Sequence, residues 1–189
     1  MKLKIALIAS LTFASVHALA ATVPAASQSG TITVKGNIYA SACVIDSSIG
    51  ATATLKIPTT VAADYVKGDL SPQSTTAAGN VLFTCPSGTG VMFRVDGVAD
   101  TTNPAYFQVT PGTGKAGGVG LKITTSSGVS GSTIKDIVML PNQVNSQVFP
   151  TLTTSKNVAA SFKAQAVAVA DKVTAGDLST TLTWTAIYN

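Results

Sequence analysis

The chain has 189 residues, twelve basic and eight acidic, and its near-neutral balance is closer than those totals suggest. Lys2 and Lys4 lie in a leader, Arg94 is the single arginine, and the other lysines are scattered singly, so there is no basic stripe for nucleic acid. Glutamate is absent and the one histidine is His17, so the chain past the leader lacks the usual base of a Ser-His or Cys-His pair and no catalytic residue is expected.

In chain order, residues 1–20 read as a secretory signal peptide. Lys2 and Lys4 form the positive region, Ile5 to Val16 is mostly apolar, and Ala18-Leu19-Ala20 is a small-residue cleavage site. The stretch is too short for a comfortable bilayer span, which needs about 18 or more apolar residues. About 169 residues remain, enough for one domain with a core and no cofactor. Residues 21–29 are small and polar and read as a disordered lead. The segment Gln28-Ser-Gly-Thr-Ile-Thr-Val-Lys-Gly36 then alternates, with Gly30, Ile32, Val34 and Gly36 on one face and Thr31, Thr33 and Lys35 on the other.

β-type runs follow at Thr31–Ile45, Ala53–Ile57, Asn80–Cys85, Val91–Val95, Ala105–Thr110, Val119–Thr124, Ile134–Leu140, Gln147–Leu152, Ala159–Ala170 and Leu178–Tyr188. Gly- and Pro-bearing turns separate them, at 86–90, 110–114, 126–128 and 140–143. No segment keeps a 3.6-residue apolar period, so the pattern predicts an all-β sandwich. Cys43 and Cys85 are the only cysteines, and an even count in an exported chain predicts a disulfide. Two thiols without histidine do not fill a four-ligand zinc site, so no metal is expected.

The tail carries the clearest periodicity. Leu178, Leu182, Trp184, Ala186 and Tyr188 share one parity, while Ser179, Thr181, Thr183 and Thr185 take the other. This predicts a strand with one buried, partly aromatic face. Two letter patterns carry no chemistry. Gly112-Thr-Gly-Lys-Ala-Gly117 matches a nucleotide-loop spacing but lacks the βαβ setting, so it reads as a flexible loop. Asp96-Gly-Val-Ala-Asp100 has too few carboxylates for a calcium loop and reads as a solvated turn, with Arg94 and Asp96 able to pair at the surface.

Taken together and in order, these segments resemble the chaperone–usher pilins, the major subunits of type 1 and P pili. The resemblance rests on Gly-Thr-Ile-Thr-Val-Lys-Gly (30–36), Ala42-Cys43, Phe83-Thr84-Cys85, Phe162-Lys-Ala-Gln-Ala, a glycine fourteenth from the end (Gly176) and the penultimate Tyr188. It implies an incomplete immunoglobulin-like sandwich lacking its last strand, with a donor-strand extension over 21–36 and a pilin domain over 37–189. It also implies assembly by strand addition to a sheet edge. Gln28, Gly30, Ile32, Val34 and Gly36 would be the donor residues. Gly176, Leu178, Leu182, Trp184, Ala186 and Tyr188 would form the accepting groove and the chaperone contact.

The implied partners are a periplasmic chaperone, an outer-membrane usher and identical or related pilins. The implied location is a surface fimbrium of a Gram-negative bacterium, reached through the periplasm. A minor or adaptor pilin, or a single-domain carbohydrate-binding adhesin, is the alternative. A two-domain adhesin would need length that this chain lacks. There is neither the long N-terminal helix of a type IV pilin nor an L-P-x-T-G sorting tail.

Overall fold

The strand pattern becomes two sheets in the computed structural model, which describes residues 30–38, 43–45, 52–57, 65–71, 73–76, 80–86, 89–128, 133–150 and 157–188. The leader, Gln28 and the polar lead lie outside the described residues. The described strands are β1 (Gly30–Ile38), β2 (Val44–Ile45), β3 (Thr52–Ile57), β4 (Thr75–Thr76), β5 (Asn80–Thr84), β6 (Gly90–Asp96), β7 (Phe107–Gln108), β8 (Val119–Ser127), β9 (Ile137–Met139), β10 (Phe149–Pro150), β11 (Asn157–Ala168) and β12 (Ser179–Tyr188). No helix occurs among the described residues.

One sheet runs β10-β6-β12-β1-β3-β4 and the other β2-β5-β11-β8-β7, with β9 on β8. Alternation turns one face of each sheet inward. Val91, Phe93 and Val95 on β6 are buried, as are Leu182, Trp184 and Ala186 on β12, while Arg94 between the first three is exposed and Thr183 and Thr185 between the others are half-buried. Phe83 and Phe162 come from the second sheet to meet them. Phe83 and Trp184 meet in a T-shaped pair with ring centroids 5.6 Å apart, as Phe93 does with Phe162 at 5.7 Å and with Phe149 at 5.0 Å. Edge-on ring pairs add about 0.5–1.5 kcal/mol each beyond their buried area, so this cluster is the middle of the core.

The predicted run Thr31–Ile45 divides between the sheets. Its first part is β1, beside β12 and β3, and its second is β2, beside β5. Cys43 lies between them and is bonded to Cys85, 42 residues later, so the disulfide joins the chain leaving β1 to the end of β5.

Two edges are closed by side chains instead of strands. Ser71 and Ser74 lie against the second half of β11. Their amides donate to the carbonyls of Ala166 and Ala164, both at 2.8 Å, and their hydroxyls accept from the same two residues' amides, both at 2.9 Å. The outer edge of β6 is held by asparagines. Asn145 exchanges 2.9 Å bonds with Phe93, its amide donating to the carbonyl and its Oδ1 accepting from the amide. Asn142, in the left-handed region at φ 62°, donates its amide to Val95 and brackets Gly97 with its side chain. A covered edge does not recruit another chain's strand.

Candidate functional site: a strand-binding groove

The most unusual element is β1. It sits in the middle of its sheet, parallel to β12 from Thr31↔Ser179 to Ile38↔Ala186 and antiparallel to β3 from Gly30↔Ile57 to Lys35↔Thr52. Among the described strands it forms the one parallel pair. Ile32 and Val34 are fully buried, and Thr33 between them is partly exposed, as their alternation requires. Each buried aliphatic side chain contributes roughly 1.5–3 kcal/mol.

Without β1, the space between β12 and β3 would be a groove walled by Leu182, Trp184 and Ala186 on one side and Leu55 and Ile57 on the other. All five are buried in the complete sandwich. Of the residues singled out in the tail, Leu182, Trp184 and Ala186 thus lie beside β1, in register with Val34, Gly36 and Ile38. Tyr188 lies past the end of that ladder, paired with Val91 of β6 and packed partly against the core. Burial raises its phenol above the usual value. The hydroxyl of Tyr188 and the indole N–H of Trp184 are both covered and have no hydrogen-bond partner among the described residues.

Gly176 and Leu178 precede β12. Leu178 is buried in the core, whereas Gly176 lies against backbone. A Cβ on Gly176 would fall 2.2 Å from the carbonyl carbon of Lys115 and 2.4 Å from the amide nitrogen of Ala116, so only glycine fits. Here the loop with the nucleotide-like spacing finds its structural use. Ala116 donates to the carbonyl of Asp177, Asp177 donates to that of Gly114, and Gly117 and Thr174 exchange two bonds. The loop is docked on the approach to β12 through its own backbone.

The acidic turn is likewise accounted for by local bonds. Asp100 is buried, and its Oδ1 accepts from the amides of Thr102 and Asn103, both at 2.9 Å. No group of three or more metal-ligating side chains occurs among the described residues. Arg94 and Asp96 do pair, at 2.8 Å on the surface.

Sequence reasoning missed Gly97. A Cβ there would sit 2.4 Å from Cδ2 of Leu182 and 2.9 Å from Cδ1 of Phe107, so this glycine makes room for a groove-wall leucine. The only local signal is an isolated glycine at a strand end, a common place for close backbone approach.

The described strands form an all-β sandwich whose core includes β1, the first of them in the chain. Residues 32–189 match the family model described as fimbrial protein, and the chain belongs to that family. It is a pilin subunit of a cell-surface fimbrium, in a family whose members are structural proteins. Among solved structures, the chain is similar to a crystal structure titled a Burkholderia pseudomallei antigen and type I fimbria protein. The two share 21% identity with a TM-score of 0.49, over 86% of this chain and 97% of that one. No curated protein matches.

Proposed function

We propose that this subunit polymerises by donor-strand exchange within a chaperone–usher fimbria, building an adhesive surface pilus. The carrying observation is that a central core strand, β1, comes from the N-terminal part of the chain and is joined to the rest by a short link after Ile38. Swapping an identical element between copies is a low-cost route to association, because the same contacts re-form in another molecule. Gln28, Gly30, Ile32, Val34 and Gly36 act as donor residues, and Leu182, Trp184 and Ala186 as groove wall, with Gly176, Leu178 and Tyr188 alongside. A periplasmic chaperone protects the groove first, the usher secretes the subunit, and the strand of the next pilin replaces the chaperone.

The adhesin alternative is disfavoured by Trp184. Its ring, the best candidate for stacking on a sugar, is fully buried.

Gly30 offers the test. It is the outermost residue of β1, paired with Ile57 and outside the ladder to β12. Gly30→Leu is expected to give normal amounts of chaperone-bound subunit and few fibres by electron microscopy, while Thr31→Ser assembles normally. Wild-type fibre yield from Gly30→Leu would remove the mechanism.

A further inference from the structure

The exposed apolar surface of this subunit is unevenly distributed. Among the described residues eight large apolar side chains are exposed, and four of them, Val138, Leu140, Val144 and Val148, fall within one short stretch. Alternation around buried Met139 turns Val138 and Leu140 outward. With Ile137, Val144, Gln143 and Ser146 they line an open cleft of about 280 Å³ beside β9. No charged residue occurs from Ile137 to Ser155. Arg94, whose backbone meets Val144, is paired with Asp96 at 2.8 Å, and Asp136, just ahead of Ile137, with Lys163 at 3.5 Å.

Clustered exposed aliphatic side chains mark an interaction surface. We infer that a second copy of this chain covers the cleft, and that the turn from Val66 to Leu70 is the part that enters it. The inference goes beyond strand exchange, but it rests on the polymer proposed above to bring copies side by side.

The cleft suits a side chain better than a small molecule. Its volume falls just below the range of about 300–1,000 Å³ usual for small-molecule pockets, and no aromatic or charged group lines it. The turn supplies the matching shape. Val66 is 69% exposed and Leu70 45%. The carboxylate of Asp69 accepts from the amide of Val66 at 2.8 Å, and the amide of Asp69 donates to the Val66 carbonyl at 2.8 Å. Gly68 donates to the carbonyl of Ala168, whose own amide donates to that of Asp69, at 2.8 and 3.0 Å. Lys67 is paired with Asp171. The turn is thus already ordered and its charges are engaged, so little ordering cost attends its docking.

Placement decides how the two surfaces meet. Leu70 bridges Val167 on one edge of β11, and the other edge of Val167 pairs with Gly120 of β8, beyond which lies β9. Turn and cleft therefore occupy opposite margins of the same sheet, three strand spacings or roughly 14 Å apart. Unlike patches on opposite margins meet between copies, and such a heterologous contact continues from copy to copy instead of closing in a pair. Two side chains in a cleft bury far less than the roughly 1,000 Å² a stable interface needs, so free subunits stay apart. Copies already tethered in a polymer face one another at an effective concentration of order millimolar, where so small a contact holds.

Cysteines at the two surfaces test the pairing. In fibres of the Leu70→Cys, Val144→Cys double variant, mild oxidation is expected to give a ladder of dimers, trimers and larger species on denaturing gels without reductant. The yield is expected to be at least tenfold above that from monomer at the same concentration, and each single variant is expected to give no ladder. Fibres without a ladder would overturn the contact and leave strand exchange standing. Dimers from Val144→Cys alone would also overturn it, since the cleft would then meet its own copy. Wild-type protein gives an answer free of the cysteines. Hydroxyl-radical labelling of Leu140 and Val144 is expected to fall at least threefold from monomer to fibre, and to return to the monomer level in Leu70→Glu fibres. Unchanged labelling in wild-type fibres, or continued protection in Leu70→Glu fibres, would overturn the proposal. A wild-type subunit that forms no fibres at all would remove strand exchange, and the lateral contact with it.

Discussion

Two central strands, β11 and β1, occupy equivalent places in their sheets and are held very differently. β11 runs twelve residues between β5 and β8, antiparallel to both, and nearly every residue from Val158 to Val169 is buried or half-buried. Its neighbours are knit to it along both edges, including the serine clasps at Ala164 and Ala166. β1 has ladders on both sides as well, but one is parallel, and a few residues after Ile38 the chain passes to the other sheet. A strand embedded between chain neighbours can leave only when the domain unfolds. A strand attached at one end can leave by itself, so equal burial does not mean equal permanence.

The largest expected effects separate the two strands. Phe162→Ala on β11 removes a ring that packs on Phe93 and Trp184 and should cost about 3–5 kcal/mol. Ile32→Ala on β1 should cost about 2–5 kcal/mol by the same mechanism. The difference lies in rescue. An excess of a peptide covering Ala21–Asn37 should restore the thermal midpoint of Ile32→Ala, because a ligand that binds only the folded form stabilises it. The same peptide should leave Phe162→Ala unchanged. Equal rescue of both, or of neither, would erase the distinction between a removable and a permanent strand.

The Cys43–Cys85 bond belongs to the permanent part. Closing a loop of about 43 residues is worth on the order of 4 kcal/mol in the chain-entropy model. Replacing both cysteines by serine should lower stability by up to that amount in urea unfolding, with the peptide still raising the midpoint of whatever folds. Loss of peptide response in folded double-serine protein would mean that the bridge shapes the groove itself.

The smallest effect concerns pH. Burial raises the Tyr188 phenol above its ordinary value near 10. The folded state therefore favours the protonated form. Its contribution to stability is full below the unfolded value and is lost as pH rises through the folded one. The urea midpoint of wild-type protein should fall between pH 8 and pH 11, and Tyr188→Phe should fall less. Parallel declines would mean that the phenol does not titrate differently in the two states.

Much of this architecture could be read from local pattern. The two-residue period at Ile32 and Val34, and again at Leu182, Trp184 and Ala186, assigns each side chain to a face whatever the strand pairs with, and all five are buried. The cysteine pair followed from the leader and the compartment it implies, and the bond is present. Most predicted strands lie within a few residues of observed ones because Gly- and Pro-bearing turns punctuate them. Periodicity names a face and is silent about a partner. That β1 would lie parallel to β12 in its own molecule, with Gly36 beside Trp184, depends on pairings about 150 residues apart. The split of Thr31–Ile45 between sheets, the serines that stand in for a strand beside β11, and the need for glycine at 97 and 176 have the same origin. Each is set by which groups come close in space, and that distance is fixed only when both sheets have closed on the core.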